Sequence, residues 1–115
     1  MNSVKRVIQQ IPDHRSTHKV LLVGHDAHPH GAQMLLLNIG RVLTRQLNVS
    51  VEYMLLNGGS LLSQYETIAP VHLVDGLSDK EISRLVDGLG CLLAITNTAV
   101  TGRVVPVLKL SLIHI

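Results

Sequence analysis

The chain has 115 residues and a net charge of +2, from 10 Lys and Arg against 8 Asp and Glu. Hydrophobic residues make up 46% and charged residues 16%, which supports one domain with a core and excludes a disordered chain. Phe and Trp are absent and Tyr occurs twice, so the aromatic platforms of a base-stacking nucleic-acid binder are missing, and the single cysteine, Cys91, rules out a disulfide framework or a Cys-rich zinc site.

No apolar run approaches the ~18 residues that a membrane span needs. Residues 1–19 carry Lys5, Arg6, Arg15 and Lys19 without the continuous apolar stretch of a signal peptide. These features predict a cytoplasmic protein with no nucleic-acid partner, and the basic N-terminal residues permit peripheral contact with a membrane. Asn48-Val49-Ser50 matches a glycosylation acceptor, but without a secretory signal it reads as chance.

In chain order, residues 1–18 form a polar lead-in with a short apolar patch (Val4, Val7, Ile8, Ile11), and Pro12 interrupts any helix there. Lys19–Gly24 is a buried-strand pattern. His25–Gly31 is a loop marked by Asp26, Pro29 and Gly31. Ala32–Leu47 reads as a helix whose Leu35, Ile39, Val42 and Leu43 share one face. Val49–Leu56 is a second strand, Asn57–Ser60 a turn and Leu61–Ile68 a short helix. Val71–Val74 is a brief third strand. Ser78 and Glu81 have the spacing of a capping box, in which a hydroxyl and a carboxylate satisfy orphan N–H groups at a helix start. That helix runs to about Leu89 and stops near Gly88 and Gly90. Cys91–Thr96 is a fourth, buried strand, with Cys91 as a small core residue, and Thr101–Leu108 begins another helix. Leu110–Ile115 resembles the translation of a sequencing-adaptor end and receives no functional weight. The chain is therefore read as a truncated reading frame with its domain over residues 19–109.

Strand and helix alternate with short connections. This predicts an α/β, Rossmann-like parallel sheet with helices on both faces. Ligands of such sheets bind beyond the carboxyl ends of the strands. The candidate loops are then His25–Gly31, Asn57–Ser60, Asp75–Leu77 and Asn97–Gly102.

The first loop, Gly24-His-Asp-Ala-His-Pro-His-Gly-Ala32, carries the most chemistry. A glycine at a helix start lets backbone N–H groups approach a phosphate, where the helix dipole adds positive charge. Gly31 and Ala32 sit in that place, or Gly31 only permits the turn. His25 and Asp26, nearest the strand end, are the candidates to face a substrate. The spacing of His25, His28 and His30 matches no metal motif, and no metal cofactor is expected. Asn97 and Thr98 either hydrogen-bond a sugar or phosphate or cap the following helix. Gly58 and Gly59 would let an acceptor approach the backbone closely. The dinucleotide fingerprint G-x-G-x-x-G and the nucleotide loop G-x-x-x-x-G-K-[ST] are both absent.

Residues 19–43, a strand ending in His-Asp, a loop ending in Gly-Ala and a Leu-rich helix, resemble the opening of the N-terminal domain of family-4-type glycosyltransferases with the GT-B fold. Val51–Leu62 and Ala94–Gly102 are similar to later segments of that domain, in the same order. The resemblance implies transfer of a sugar from a nucleotide-sugar donor to a sugar or glycan acceptor, with retention of configuration and without a bound metal. It further implies that Gly31-Ala32 approaches the donor diphosphate and that His25, Asp26, Asn97 and Thr98 line the same cleft. The family's C-terminal domain, with most donor contacts and a Glu-x7-Glu type motif, does not occur in this sequence, so the chain alone is expected to be inactive. Two other readings stand beside this one. A stand-alone flavodoxin-like or receiver-like module is one, although Asp26 is alone where a receiver wants paired acids. A non-catalytic partner subunit is the other, which the mean hydropathy of +0.32 permits.

Overall fold

The computed structural model describes residues 19–96 and the backbone of 111–114. The elements are β1 (Lys19–Gly24), α1 (Gly31–Arg45), β2 (Ser50–Leu55), α2 (Leu62–Ile68), β3 (Val71–Leu73), α3 (Asp79–Leu89), β4 (Cys91–Thr96) and β5 (Ser111–His114). The strands form one sheet in the order β3-β2-β1-β4-β5, and every pairing is parallel. This is the Rossmann-like α/β arrangement. It differs from the flavodoxin-like order 2-1-3-4-5, so the flavodoxin-like alternative is corrected by the topology. Right-handed crossovers permit both orders, which is why alternation along the chain did not separate them.

The apolar runs follow from burial on both faces of a parallel sheet. Val20 and Leu22 of β1 face one core with Val51, Tyr53 and Leu55 of β2, under α1 and α2. Leu21 and Val23 face a second core with Met54, Ala94 and Cys91, under Ile82 and Val86 of α3. Burial pushes the Cys91 thiol up to about 11, with Glu52 adding to the rise and Lys19 opposing it. Toward the same end of the sheet, buried Glu52 accepts from His72 Nε2 at 2.7 Å and lies 3.8 Å from Lys19 Nζ.

Two expectations change in detail. The Cys91–Ile95 run is not buried throughout. Lys19 pairs with Cys91 but Val20 with Leu93, so Leu92 is an extra residue in the ladder and is 53% exposed. That bulge is why Cys91 and Ala94, three apart, face the same core. Residues 111–114, which resemble an adaptor translation, nonetheless extend the sheet: their backbone lies parallel to β4, with Leu93 opposite Ser111 and Thr96 opposite His114. The predicted 101–108 helix and the lead-in lie outside the described residues.

Helix α1 buries Leu36, Leu37, Ile39, Gly40 and Leu43, with Leu35 and Val42 packed at the margin. Both tyrosines serve this contact. Tyr53 Oη donates toward the Leu36 and Leu37 carbonyls at 3.2 Å each, and Tyr65 Oη donates to Gln33 O at 2.6 Å. Their rings meet edge to face, 4.6 Å apart. Helix α3 opens with the predicted capping box: Glu81 N–H donates to Ser78 Oγ, and Ser78 N–H to Glu81 Oε1. Gly90, in the left-handed region at φ 69°, ends it.

Among the described residues no helix is long and apolar enough to cross a membrane.

Candidate functional site

The strand order reverses between β1 and β4, because the connection from β1 leads to one side of the sheet and that from β4 to the other. The crevice beyond the carboxyl ends of these two strands is where ligands of this architecture bind. The loop from His25 to His30 follows the carboxyl end of β1 on this side, and α1 begins directly after it at Gly31.

Asp26 organises the loop. Its Oδ1 accepts from the His28 N–H at 3.0 Å and from Gln33 Nε2 at 2.7 Å, and its Oδ2 lies 2.9 Å from His25 Nδ1. Burial raises the Asp26 pKa, but hydrogen bonds from the His28 backbone, His25 and Gln33 outweigh it, and the carboxyl falls from 3.8 to about 2. Because the folded value is depressed, the resulting stabilisation is present above the ordinary carboxyl range and is lost as pH falls from 3.8 toward about 2. For a rim open to water this amounts to on the order of 1 kcal/mol. The stability gap between the wild type and Asp26→Asn, measured by denaturant midpoints, is therefore expected to shrink between about pH 5 and pH 2. A gap independent of pH there would show that the carboxylate charge contributes nothing.

The start of α1 is left open. His30 takes the N-cap position but makes no side-chain cap, and the first turn contains no acidic residue. The first intrahelical bond is Met34 N–H to His30 O at 2.9 Å. The N–H groups of Gly31, Ala32 and Gln33 precede it and have no protein acceptor among the described residues. Gly31 and Ala32 are exposed, and nothing lies within 4 Å of where a Gly31 side chain would begin. Gly31 has no positive φ, so the turn does not require glycine there.

The second loop supports the first. Asn57 N–H donates to His25 O at 2.9 Å, Ala27 N–H to Gly58 O at 3.2 Å, and Leu61 N–H to Ala27 O at 2.6 Å. Gly59 lies against the Ala27–His28 peptide, which fills the space a side chain would take. The expectation that Gly59 opens its backbone to an acceptor is thus corrected: its open face is occupied by the first loop.

The structure places His25, Asp26, Gly31 and Ala32 on one rim. Asp26 is spent on the loop itself, whereas the His25 side chain is 46% exposed. Asn97 and Thr98 lie outside the described residues, directly after β4. The His28 and His30 rings are exposed, with centroids 6.5 Å apart. No group of three His, Cys, Asp or Glu among the described residues is arranged to hold a metal ion. The sequence marked Gly59 for another role, close approach of a ligand, and did not mark Gln33. Gln33 had one weak signal, a polar residue on the buried face of an otherwise apolar helix. Comparison with protein families and with curated proteins finds no match to this chain.

Proposed function

We propose that the chain is the acceptor-side, Rossmann-like part of a GT-B-type glycosyltransferase that moves a sugar from a nucleotide-sugar donor to a sugar or glycan acceptor. The observation that carries this reading is the pair of N–H groups of the exposed residues Gly31 and Ala32 at the start of α1, which have no protein acceptor among the described residues. They stand at the crevice where a departing diphosphate would need stabilisation. The Asp26 charge opposes an anion there, but its oxygens are turned to His25, Gln33 and the His28 N–H rather than to the helix start. In this reading a second Rossmann-like domain supplies most donor contacts, and residues 19–96 bind diphosphate without turnover.

The test uses inorganic pyrophosphate, the chemical core of the leaving group, titrated into the 15N-labelled chain. The Gly31 and Ala32 amide resonances are expected to move most. Gly31→Pro provides the decisive variant. Proline suits the first helical position, and the residue before it, His30, already has the extended backbone at φ −111° and ψ 169° that proline demands. Folding stability should stay within about 0.5 kcal/mol. Loss of one N–H donor to a charged oxygen should weaken binding about tenfold or more. Unmoved amides, or unchanged affinity in Gly31→Pro, would overturn the proposal.

A further inference from the structure

We propose that Asp26 is a positioning residue that locks His25 in the Nδ1–H form, so that His25 Nε2 becomes the acceptor which the first loop offers to a ligand hydroxyl beside Gly31 and Ala32. The ligand half of this inference rests on the function proposed above; the dyad rests on geometry alone.

His25 Nδ1 lies 2.9 Å from Asp26 Oδ2. The carboxyl is held down to about 2, so at neutral pH it is a carboxylate and can only accept. The hydrogen in that bond therefore sits on Nδ1. A neutral imidazole carries one N–H, so Nε2 keeps a lone pair. The carboxylate cannot readily turn away, because its other oxygen is held by Gln33 Nε2 at 2.7 Å and the His28 N–H at 3.0 Å. Gln33 is itself buried, and its main-chain carbonyl accepts from Tyr65 Oη at 2.6 Å. The anchoring thus runs from the core to the rim. The Asp26 side chain is 14% exposed and that of His25 46%, so the pair keeps its anchor inside and its ring outside. Nε2 has no partner among the described residues. An sp2 nitrogen with a lone pair takes a hydrogen bond from a sugar or polyol hydroxyl, whereas an unprotonated phosphate oxygen has no hydrogen to give. The rim therefore offers two chemistries side by side: backbone donors for the diphosphate and one acceptor for a hydroxyl.

The whole chain, 15N-labelled, is to be followed by long-range 1H–15N correlation of its imidazoles at mildly alkaline pH. His25 is expected in the Nδ1–H form. His28 and His30, whose rings make no carboxylate hydrogen bond among the described residues, should show the mixed forms of a free imidazole. Asp26→Ala should return His25 to that mixture. Gln33→Ala, which leaves the His25–Asp26 bond in place, should keep the Nδ1–H form in the majority and so separates the dyad from general loosening. An Nε2–H majority in the wild type, or no change in Asp26→Ala, overturns the dyad.

For the ligand, the chain is titrated with pyrophosphate and with UDP-, GDP- and ADP-linked hexoses. Pyrophosphate should move the Gly31 and Ala32 amides without moving His25 Nε2, and one sugar-bearing ligand should move both. His25→Ala should weaken that ligand about tenfold more than it weakens pyrophosphate. His25→Gln, whose amide oxygen reaches the Nε2 place, should recover part of the difference. A sugar-bearing ligand that moves the amides but leaves His25 unmoved overturns the hydroxyl role. A series in which nothing on the rim moves overturns the proposed function and the ligand half with it, while the tautomer still decides the dyad.

Discussion

Gly59→Ala is expected to dislodge the rim and to lower stability by about 2–4 kcal/mol. The added methyl would run into the carbonyl carbon of Ala27 and lie 2.6 Å from its oxygen and 2.7 Å from His28 N. All three are backbone atoms, so no side chain can rotate aside. The first loop must move instead, against the bonds that Ala27 makes to Gly58 and Leu61 and the one from Asn57 to His25. Because that loop leads into α1, the pyrophosphate response of Gly31 and Ala32 should weaken as well, under conditions where the variant is still folded. Chemical denaturation and amide spectra read the two effects separately. A variant within about 0.5 kcal/mol of wild type, with an unchanged Gly31 response, would mean that the two loops are not mechanically joined.

Gly40→Ala should lose about 3 kcal/mol or more, even though alanine is the better helix former by about 1 kcal/mol. The new Cβ would overlap the Tyr53 hydroxyl, with the ring carbon behind it at 2.6 Å and Leu22 Cδ1 at 3.3 Å. Tyr53 is fully buried, bonded to two carbonyls of the same helix and stacked edge-on against Tyr65. Relief then requires α1 to lift from the sheet. Tyr53→Phe removes the worst contact but leaves the ring, so the double variant Gly40→Ala/Tyr53→Phe should recover part of the loss. The coupling between the two sites should exceed about 1 kcal/mol. Additive effects in a double-mutant cycle would show that the hydroxyl is not what Gly40 accommodates.

Both predictions turn on contacts between residues distant in sequence, and this is where sequence reading stopped. Lys19–Gly24 and Cys91–Thr96 carry their strand boundaries in the chain itself, as short apolar runs ended by glycine or by polar residues. The α3 cap is equally local, since Ser78 and Glu81 are three apart and need nothing else. Of the site, His25, Asp26 and Gly31 were legible because a loop after a strand and before a helix has a fixed place in this architecture. Gln33 was not, because its bond to Asp26 depends on how α1 docks. Gly40 had only the faint mark of a glycine in mid-helix, and Gly59 pointed to a close backbone approach without showing that the first loop makes it. The Leu92 bulge left no trace in an unbroken apolar run.

Residue order alone carried the types and succession of the elements from β1 to β4 and the parallel, two-faced sheet they build; it did not carry β5. Apolar periodicity and capping chemistry act between near neighbours and are written in residue order. The tertiary structure alone decided the reversal between β1 and β4, the pinning of α1 by Tyr53 and Tyr65, and the support of the first loop by Gly59. Those features depend on which surfaces meet. Burial patterns mark a residue as inside without stating what it touches.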